Sequence, residues 1–190
     1  MAEFDTSKDR FDLILKTEYH NELYIEGFSL MMKDPSYCYK FYWLEALVRL
    51  ISEDVKETTF DAVIDEMICS AWYTVREFHI HLSGLLADGQ VRDGLERAVL
   101  KISELSDLPA NASRVEIKKV IKQFSTELKA AKEQLTNMVP YRALAGFFTN
   151  TVTEAEWSSV RKMVAYIEMV KREQVKLPYT LGNSIGKEPG

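Results

Sequence analysis

The chain offers few residues suited to metal binding or catalysis, and the closest pair is His79 and His81. A spacing of two puts both imidazoles on one side of a strand but on different faces of a helix. The pair could therefore bind a metal ion together only on extended backbone. No HExxH or CxxC motif and no carboxylate-rich calcium loop accompanies them. We expect hydrogen-bonded histidines here and predict no metal site.

Nucleophile and phosphate-binding motifs give the same result. Ser83 precedes Gly84 but is not part of the glycine-serine-glycine elbow that exposes a catalytic serine. The segment 182–186 has glycines at both ends but lacks the lysine, the preceding strand and the following helix of a phosphate-binding loop. We predict no catalytic residue and no cofactor, and the sequence favours a non-enzyme.

Three carboxylates, Asp61, Asp65 and Glu66, lie close together near the start of a predicted helix. Neither a histidine nor a further acid stands beside them in the sequence, so we expect a solvated acidic face rather than an acid-base pair. Acidic side chains at the start of a helix also complement its dipole.

The two cysteines, Cys38 and Cys69, both lie within apolar helical patterns. Two cysteines are too few for a disulfide framework, and their surroundings favour reduced thiols in the core.

The overall composition is that of a globular protein. The 190 residues are 46% hydrophobic and 28% charged, which is enough to build a full core. The apolar stretches are interrupted by charges well before the roughly 18 residues that a membrane span requires. The acidic N-terminus does not have the pattern of a signal peptide. These features predict a cytoplasmic protein without a membrane partner.

Charge is distributed unevenly along the chain. Residues 1–113 hold 11 Lys and Arg against 21 Asp and Glu, whereas residues 114–190 hold 13 against 8. A basic C-terminal part on an acidic body is typical of a nucleic-acid footprint, or of an internal surface that meets the acidic part; a solvated helical face is the third alternative. The candidate nucleic-acid-binding residues are Lys118, Lys122, Lys129, Lys132, Arg161, Lys162, Lys171 and Arg172.

The four lysines of that set at positions 118 to 132 would share one side of a single helix. At roughly 100° per residue they fall within about one quadrant, which suits a row of phosphate contacts. Glu127 and Glu133 lie on the same predicted helix and reduce its positive charge.

Helical periodicity dominates the chain, and its strongest instance is the aromatic run of residues 36–51. Tyr39, Trp43, Ala46/Leu47 and Leu50/Ile51 recur at spacings of three and four, which predicts a buried helix. A second stripe, Phe41, Leu44 and Val48, leaves little of this helix for solvent. Asp34-Pro35-Ser36 ends the preceding helical pattern of residues 8–33.

Capping residues divide the rest into further helices. Thr59 is expected to cap a helix that runs to Trp72. Ser113 and Glu116 form a capping box that opens a long helix to about Met138, which Val139-Pro140 ends. Two more helices are expected. The first carries an apolar stripe that begins at Val91, and it ends before Leu108. The second begins at the capping box 153–156 and continues to about residue 175.

The predicted fold is all-α: a compact bundle of about six to eight helices around the aromatic helix 36–51. The irregular stretch near 73–84 allows a minor β element. Residues 1–176 are expected to form a single helical domain, and residues 177–190, with several prolines and glycines, an extended or flexible C-terminal tail.

Four segments resemble the N-terminal helical region of bacterial and phage HNH endonuclease family proteins. They are DPSYCYKFYWLEALVRLI at 34–51, TTFDAVIDEMICSAWYTV at 58–75, FHIHLSG at 78–84 and NMVPYRALAGFF at 137–148. The resemblance implies that in that family such a region precedes a nuclease domain, whose histidines and asparagine hold a catalytic metal ion. No histidine follows His81 in this chain, so no HNH catalytic residue can be assigned to it.

The resemblance implies either a fragment of a longer nuclease or a stand-alone relative without the catalytic part. We expect a non-catalytic recognition or regulatory module of an HNH-type DNA-processing or defence protein, with DNA or a nuclease domain as partner. The alternative is a stand-alone protein-interaction or oligomerisation module, in which aromatic side chains bind another protein or a second copy of the chain. Its candidate anchors are Tyr37, Tyr73, Tyr141, Phe147 and Phe148.

Overall fold

A computed structural model of the chain describes residues 25–33, 38–144, 162, 163 and 165. Within these residues the structure is all-α, as the periodicity predicted. The six helices are α1 (Ile25–Lys33), α2 (Tyr39–Ser52), α3 (Phe60–Phe78), α4 (Gly94–Leu105), α5 (Arg114–Gln123) and α6 (Ser125–Arg142). None of the described helices is long and apolar enough to cross a membrane.

The aromatic helix α2 buries the face that its sequence predicted. Tyr39, Trp43, Ala46 and Leu50 are all buried against the rest of the core. Ile51 lies about 100° further round the helix and is 69% exposed, so the inward stripe ends at Leu50. The aromatic run therefore forms one wall of the core.

Helix α3 is the centre of the fold, because it packs against α2, α4, α5 and α6. The predicted N-cap is confirmed: the backbone N–H of Ala62 donates to Thr59 Oγ1 at 3.2 Å. The helix continues past Trp72 to Phe78 and ends where His79 adopts the left-handed conformation, with φ 51°. Buried apolar side chains line it from the second turn to the last: Val63, Ile64, Met67, Ile68, Cys69, Ala71, Trp72 and Val75.

The long helix expected from Ser113 to Met138 is two helices. Its capping box is confirmed, since Ser113 and Glu116 exchange both hydrogen bonds. Phe124, with φ −104° and ψ 32°, interrupts the helical backbone between α5 and α6 while its side chain packs against the core. The expected stop at Val139-Pro140 is wrong, because α6 continues to Arg142. Pro140 lies in the last turn of α6 and has no N–H to donate to the carbonyl of Thr136, four residues earlier.

The minor β element that the sequence allowed near 73–84 is not found there, because residues 73–78 belong to α3 and residues 79–84 form no strand. Leu85 and Val91 form an isolated antiparallel bridge, and no longer strand occurs among the described residues. Gly84 and Gly89 have φ of 73° and 80° and allow the chain to reverse there. The helices expected in 8–24 and 153–175 and the tail 177–190 lie outside the described residues, apart from the helical positions 162, 163 and 165.

Loss of the α3 cap gives a first prediction. Thr59→Ala removes the acceptor for the Ala62 N–H and should lower the free energy of unfolding by about 1 kcal/mol. The measurement is urea denaturation followed by circular dichroism. Thr58→Ala is the matched control, because Thr58 is exposed like Thr59 but does not accept the Ala62 N–H. Equal losses in the two variants would contradict the capping role.

Candidate functional site

The carboxylates of α3 form the most unusual polar cluster in the described structure. Glu66 is only 1% exposed and lies between the buried apolar side chains of the helix. Asp65 is partly buried and Asp61 is exposed. The expectation of a solvated acidic face is therefore wrong for Glu66, and burial of such a charge requires compensation by opposite charge.

Helix α5 supplies that compensation for Glu66. Arg114 Nη1 donates to Glu66 Oε2 at 2.7 Å, and Lys118 Nζ forms an ion pair with Glu66 Oε1. Arg114 Nη2 also donates to Ser70 Oγ, which in turn donates to Glu45 Oε1 at 2.8 Å. One buried carboxylate thus connects α3 to α5, and the hydrogen bonds continue to α2.

Helix α6 compensates the other two carboxylates through Lys132. Its ammonium group lies 2.7 Å from Asp61 Oδ1 and 2.6 Å from Asp65 Oδ1, and its side chain is only 9% exposed. Burial raises the pKa of the Asp65 carboxyl, and the hydrogen bond and charge of Lys132 oppose that rise. The acidic α3 and the basic α5 and α6 therefore meet as an internal surface, which is one of the alternatives that the charge asymmetry predicted. Its residues are Asp61, Asp65 and Glu66 on α3, Arg114 and Lys118 on α5, and Lys132 on α6.

The candidate nucleic-acid-binding residues fall into three groups. Lys118 and Lys132 are engaged by the α3 carboxylates. Lys122, Lys129 and Lys162 are exposed, and Lys129 Nζ lies 3.9 Å from Glu133 Oε1. Arg161, Lys171 and Arg172 lie outside the described residues. The four lysines do not lie on one helix, because the expected helix is interrupted at Phe124, which separates α5 from α6.

The outer face of α5 is nevertheless basic. Ile117 and Ile121 point into the core, and Lys119 and Lys122 are exposed on the other side of the helix. Neither lysine has an ion-pair partner within the part of the chain that the structure describes. Val115 lies on the same outer face and is 78% exposed. We call Val115, Lys119 and Lys122 the outer face of α5.

A second polar cluster holds the segment between α3 and α4. Glu96, also 1% exposed, accepts from the Leu82 N–H at 2.8 Å, and its other oxygen lies 2.7 Å from His81 Nδ1. Asp93 caps α4 by accepting from the Leu95 and Glu96 backbone N–H groups. Its second oxygen accepts from the Ser83 hydroxyl at 2.9 Å. We call Glu96, Asp93 and the groups they bind the α4 clamp.

The α4 clamp uses its polar groups to hold the backbone. His79 and His81 are exposed on irregular backbone, and no group of three His, Cys, Asp or Glu is placed to hold a metal ion among the described residues. Ser83 donates to Asp93. This arrangement stabilises a loop.

Both cysteines are free thiols in protected positions. Cys38 Sγ donates to the Leu82 carbonyl at 3.1 Å, and burial, followed by the negative charge of Asp93, raises the pKa of its thiol from 9.0 to about 11. Burial raises the pKa of the Cys69 thiol to about 12. Such thiols are poor nucleophiles at neutral pH.

Sequence reasoning missed both buried carboxylates. The positions of Glu66 and Glu96 do carry a signal: each lies next to apolar positions of its helix that turn out to be buried, beside Met67 and Leu95. An acid within a helix's apolar stripe predicts a buried, paired carboxylate, but the identity of the partner depends on the tertiary fold.

Comparisons with protein-family models, with curated proteins and with solved structures found no match to this chain.

The two α6 lysines at 129 and 132 give a test of the internal surface. Lys132→Met leaves Asp65 without its cation and should lower the free energy of unfolding by about 2 kcal/mol, between the values for exposed and fully buried pairs. The loss in the free energy of unfolding should become smaller as the pH falls. Protonation of the Asp65 carboxyl, whose pKa is already raised, then removes the unpaired charge.

Lys129→Met is the matched control for that measurement, since its side chain is 72% exposed. It should change the free energy of unfolding by less than about 0.5 kcal/mol in urea denaturation. Similar values for the two variants would mean that Lys132 does not neutralise the α3 carboxylates.

Thiol alkylation gives a further test. With its pKa near 11 instead of 9.0, Cys38 should react with iodoacetamide about 100-fold more slowly in the folded chain than in urea at about pH 8. The rate should rise about tenfold per pH unit until the pH approaches that pKa. Mass spectrometry of the labelled chain measures both. Equal rates in folded and unfolded chains would contradict the burial of these thiols.

Proposed function

We propose that this chain is a non-catalytic helical module of an HNH-endonuclease-type DNA-processing or defence protein of bacterial or phage origin, working in the cytoplasm. Within such a protein it would contact the DNA backbone or a nuclease domain while cleavage takes place elsewhere. The resemblance of four segments to that family motivates the proposal. In this chain those segments supply α2, most of α3, the start of the loop to α4 and the end of α6.

The observation that carries the DNA-contacting role is the outer face of α5. Lys119 and Lys122 are exposed there and have no acidic partner among the described residues, whereas Lys118 and Lys132 are held by the α3 carboxylates. Unpaired lysines on a rigid helix suit the negatively charged phosphates of duplex DNA. Helix α5 is held in place by Ile117 and Ile121, so its outer face is already ordered before any contact forms.

The two lysines on the outer face of α5 imply a particular kind of binding. Each phosphate neutralised by a lysine adds about 0.9 to the slope of log affinity against log salt. The expected contact is weak, independent of sequence and dependent on salt, with a slope of about −2 in log affinity against log salt. A module of this kind would orient DNA for a partner domain and would not select a sequence.

The alternative of a protein-interaction module has support from one predicted anchor. Tyr73 is 47% exposed and stacks edge-on against Phe78, with ring centroids 5.4 Å apart. Tyr141 instead packs against Phe60, with ring centroids 6.2 Å apart. The other predicted anchors, Tyr37, Phe147 and Phe148, lie outside the described residues.

The deciding experiment is fluorescence anisotropy of labelled duplex DNA titrated with the chain over a salt series. Lys119→Glu/Lys122→Glu should weaken binding and reduce the salt slope by about 2, because two phosphate contacts are lost. These positions are preferable to Lys118, whose replacement would also leave Glu66 with less compensating charge.

Lys56→Glu/Lys101→Glu is the matched control, since it makes the same change in net charge at exposed positions outside α5. It should leave the salt slope unchanged. Absence of DNA binding by the unmodified chain at low salt, or equal loss in the two double variants, would refute the outer face of α5 as the contact surface.

A further inference from the structure

The α4 clamp buries two carboxylates that form no ion pair with a lysine or an arginine within the described part of the chain. Glu96 is 1% exposed and Asp93 is 6% exposed. Arg97, the arginine of α4, donates to two backbone carbonyls of the preceding loop and to Gln134 of α6. Glu66, which is buried to the same extent as Glu96, is met by an arginine and a lysine. The α4 clamp therefore depends on a weaker form of compensation.

His81 is the basic side chain that meets Glu96. Its Nδ1 lies 2.7 Å from Glu96 Oε1, and its side chain is 48% exposed. An ionised carboxylate can only accept a hydrogen bond, so Nδ1 carries a hydrogen whether the ring is neutral or protonated. The proton that the ring gains or loses is therefore the one on Nε2. Loss of that proton keeps the hydrogen bond but removes its charge, and a charge-assisted hydrogen bond is about twice as strong as a neutral one.

The other titratable groups that face the clamp lie at the start of α2. Burial, followed by the charge of Asp93, raises the pKa of the Cys38 thiol to about 11. Burial also raises the pKa of the Tyr42 phenol. Histidine is the side chain that changes charge near neutral pH, so His81 is the group through which pH acts on the clamp.

The remaining charges near the clamp belong to the end of α3 and to the connection between α3 and α4. The Arg76 guanidinium lies over the Trp72 ring, with Cζ 5.6 Å from the ring centroid. The other charged or titratable side chains of residues 77–92, apart from His81, are exposed: Glu77, His79, Asp88 and Arg92. Solvent screens such exposed charges, so their effect on the buried carboxylates is small.

The Glu96 carboxylate also holds the connection between α3 and α4 at Leu82. The Leu82 N–H donates to Glu96 Oε2 at 2.8 Å, and its carbonyl accepts from Cys38 Sγ at 3.1 Å. The Leu82 side chain packs against the core, whereas the positions on either side of residues 82–83 are exposed. Segments with few buried contacts open without unfolding of the elements around them. A loss of compensation at Glu96 therefore acts first on this connection.

We propose that the α4 clamp is a pH-sensitive latch on residues 79–92. When His81 is protonated, its charge compensates Glu96 and the latch holds Leu82 against α4. When His81 is neutral, Glu96 stays buried with less compensation, and these residues open more often so that water reaches the carboxylate.

The direction of the pH effect follows from the charge that His81 gains. The stabilisation belongs to the protonated ring, so it is present at the acidic end of the range between about pH 5 and pH 8 and is lost as the pH rises. The latch uses no residue of the outer face of α5. The inference is therefore independent of the proposed DNA contact, and either can fail alone.

The test is amide hydrogen exchange of the full chain, followed by NMR at pH 6 and at pH 8. The protection factor divides the exchange rate of the unfolded chain by the measured rate at the same pH, which removes the chemical effect of hydroxide. For the Leu82 amide it should fall at least about threefold from pH 6 to pH 8, a modest change because the His81 ring is half-exposed. The Met67 amide, in the middle of α3, should change by less than about twofold.

His81→Gln removes the titrating ring and should abolish the pH dependence at Leu82. Its circular dichroism should match that of the unmodified chain, because the His81 side chain is exposed. His79→Asn is the matched control, since it removes a second exposed histidine, and asparagine tolerates the left-handed conformation at this position, with φ 51°. This control should leave the threefold change at Leu82 intact.

Equal protection of the Leu82 amide at pH 6 and pH 8 in the unmodified chain would overturn the proposal. A pH dependence that persists in His81→Gln, or that disappears in His79→Asn, would overturn it as well. Equal changes at Leu82 and Met67 would also do so, because the chain would then open as a whole and the connection would not be latched separately.

Discussion

Glu66 places a carboxylate in the middle of the buried face of α3, and the rest of the fold depends on how that charge is neutralised. An unpaired buried charge would cost several kcal/mol, so cations must come from a neighbouring element. Arg114 and Lys118, one turn apart on α5, both reach it. With these two side chains turned toward α3, the adjacent Ile117 and Ile121 enter the core, and the rotation of α5 is fixed.

The same constraint decides which basic side chains remain for other roles. The internal surface takes up Lys118 and Lys132, so much of the charge asymmetry between the two parts of the chain is used within the fold. The opposite side of α5 is left with Lys119 and Lys122, which have no acid to meet in the described structure. A count of lysines along the sequence cannot separate these groups, because the distinction arises from the rotation of one helix.

Apolar spacing predicted much of this architecture, and polar residues account for most of the differences. Periodicity located α2 and α3, and short-range chemistry located the Thr59 cap and the Ser113 capping box. The partner of Glu66 could not be predicted from neighbours in sequence, since Arg114 is 48 residues away. The interruption at Phe124 was hidden because the apolar period continues through it from α5 into α6, and Phe124 itself packs inward.

The central claim is that Glu66 and α5 are coupled, and a double-mutant cycle measures that coupling directly. The free energies of unfolding of Glu66→Gln, Arg114→Met and the double variant, measured in urea, should give a coupling of at least about 1 kcal/mol. The parallel cycle of Glu66→Gln with Lys122→Met should be additive within about 0.5 kcal/mol, because Lys122 lies on the outer face of α5. Additivity of Glu66 and Arg114 would contradict the account, since α5 would then be positioned by its apolar side chains alone.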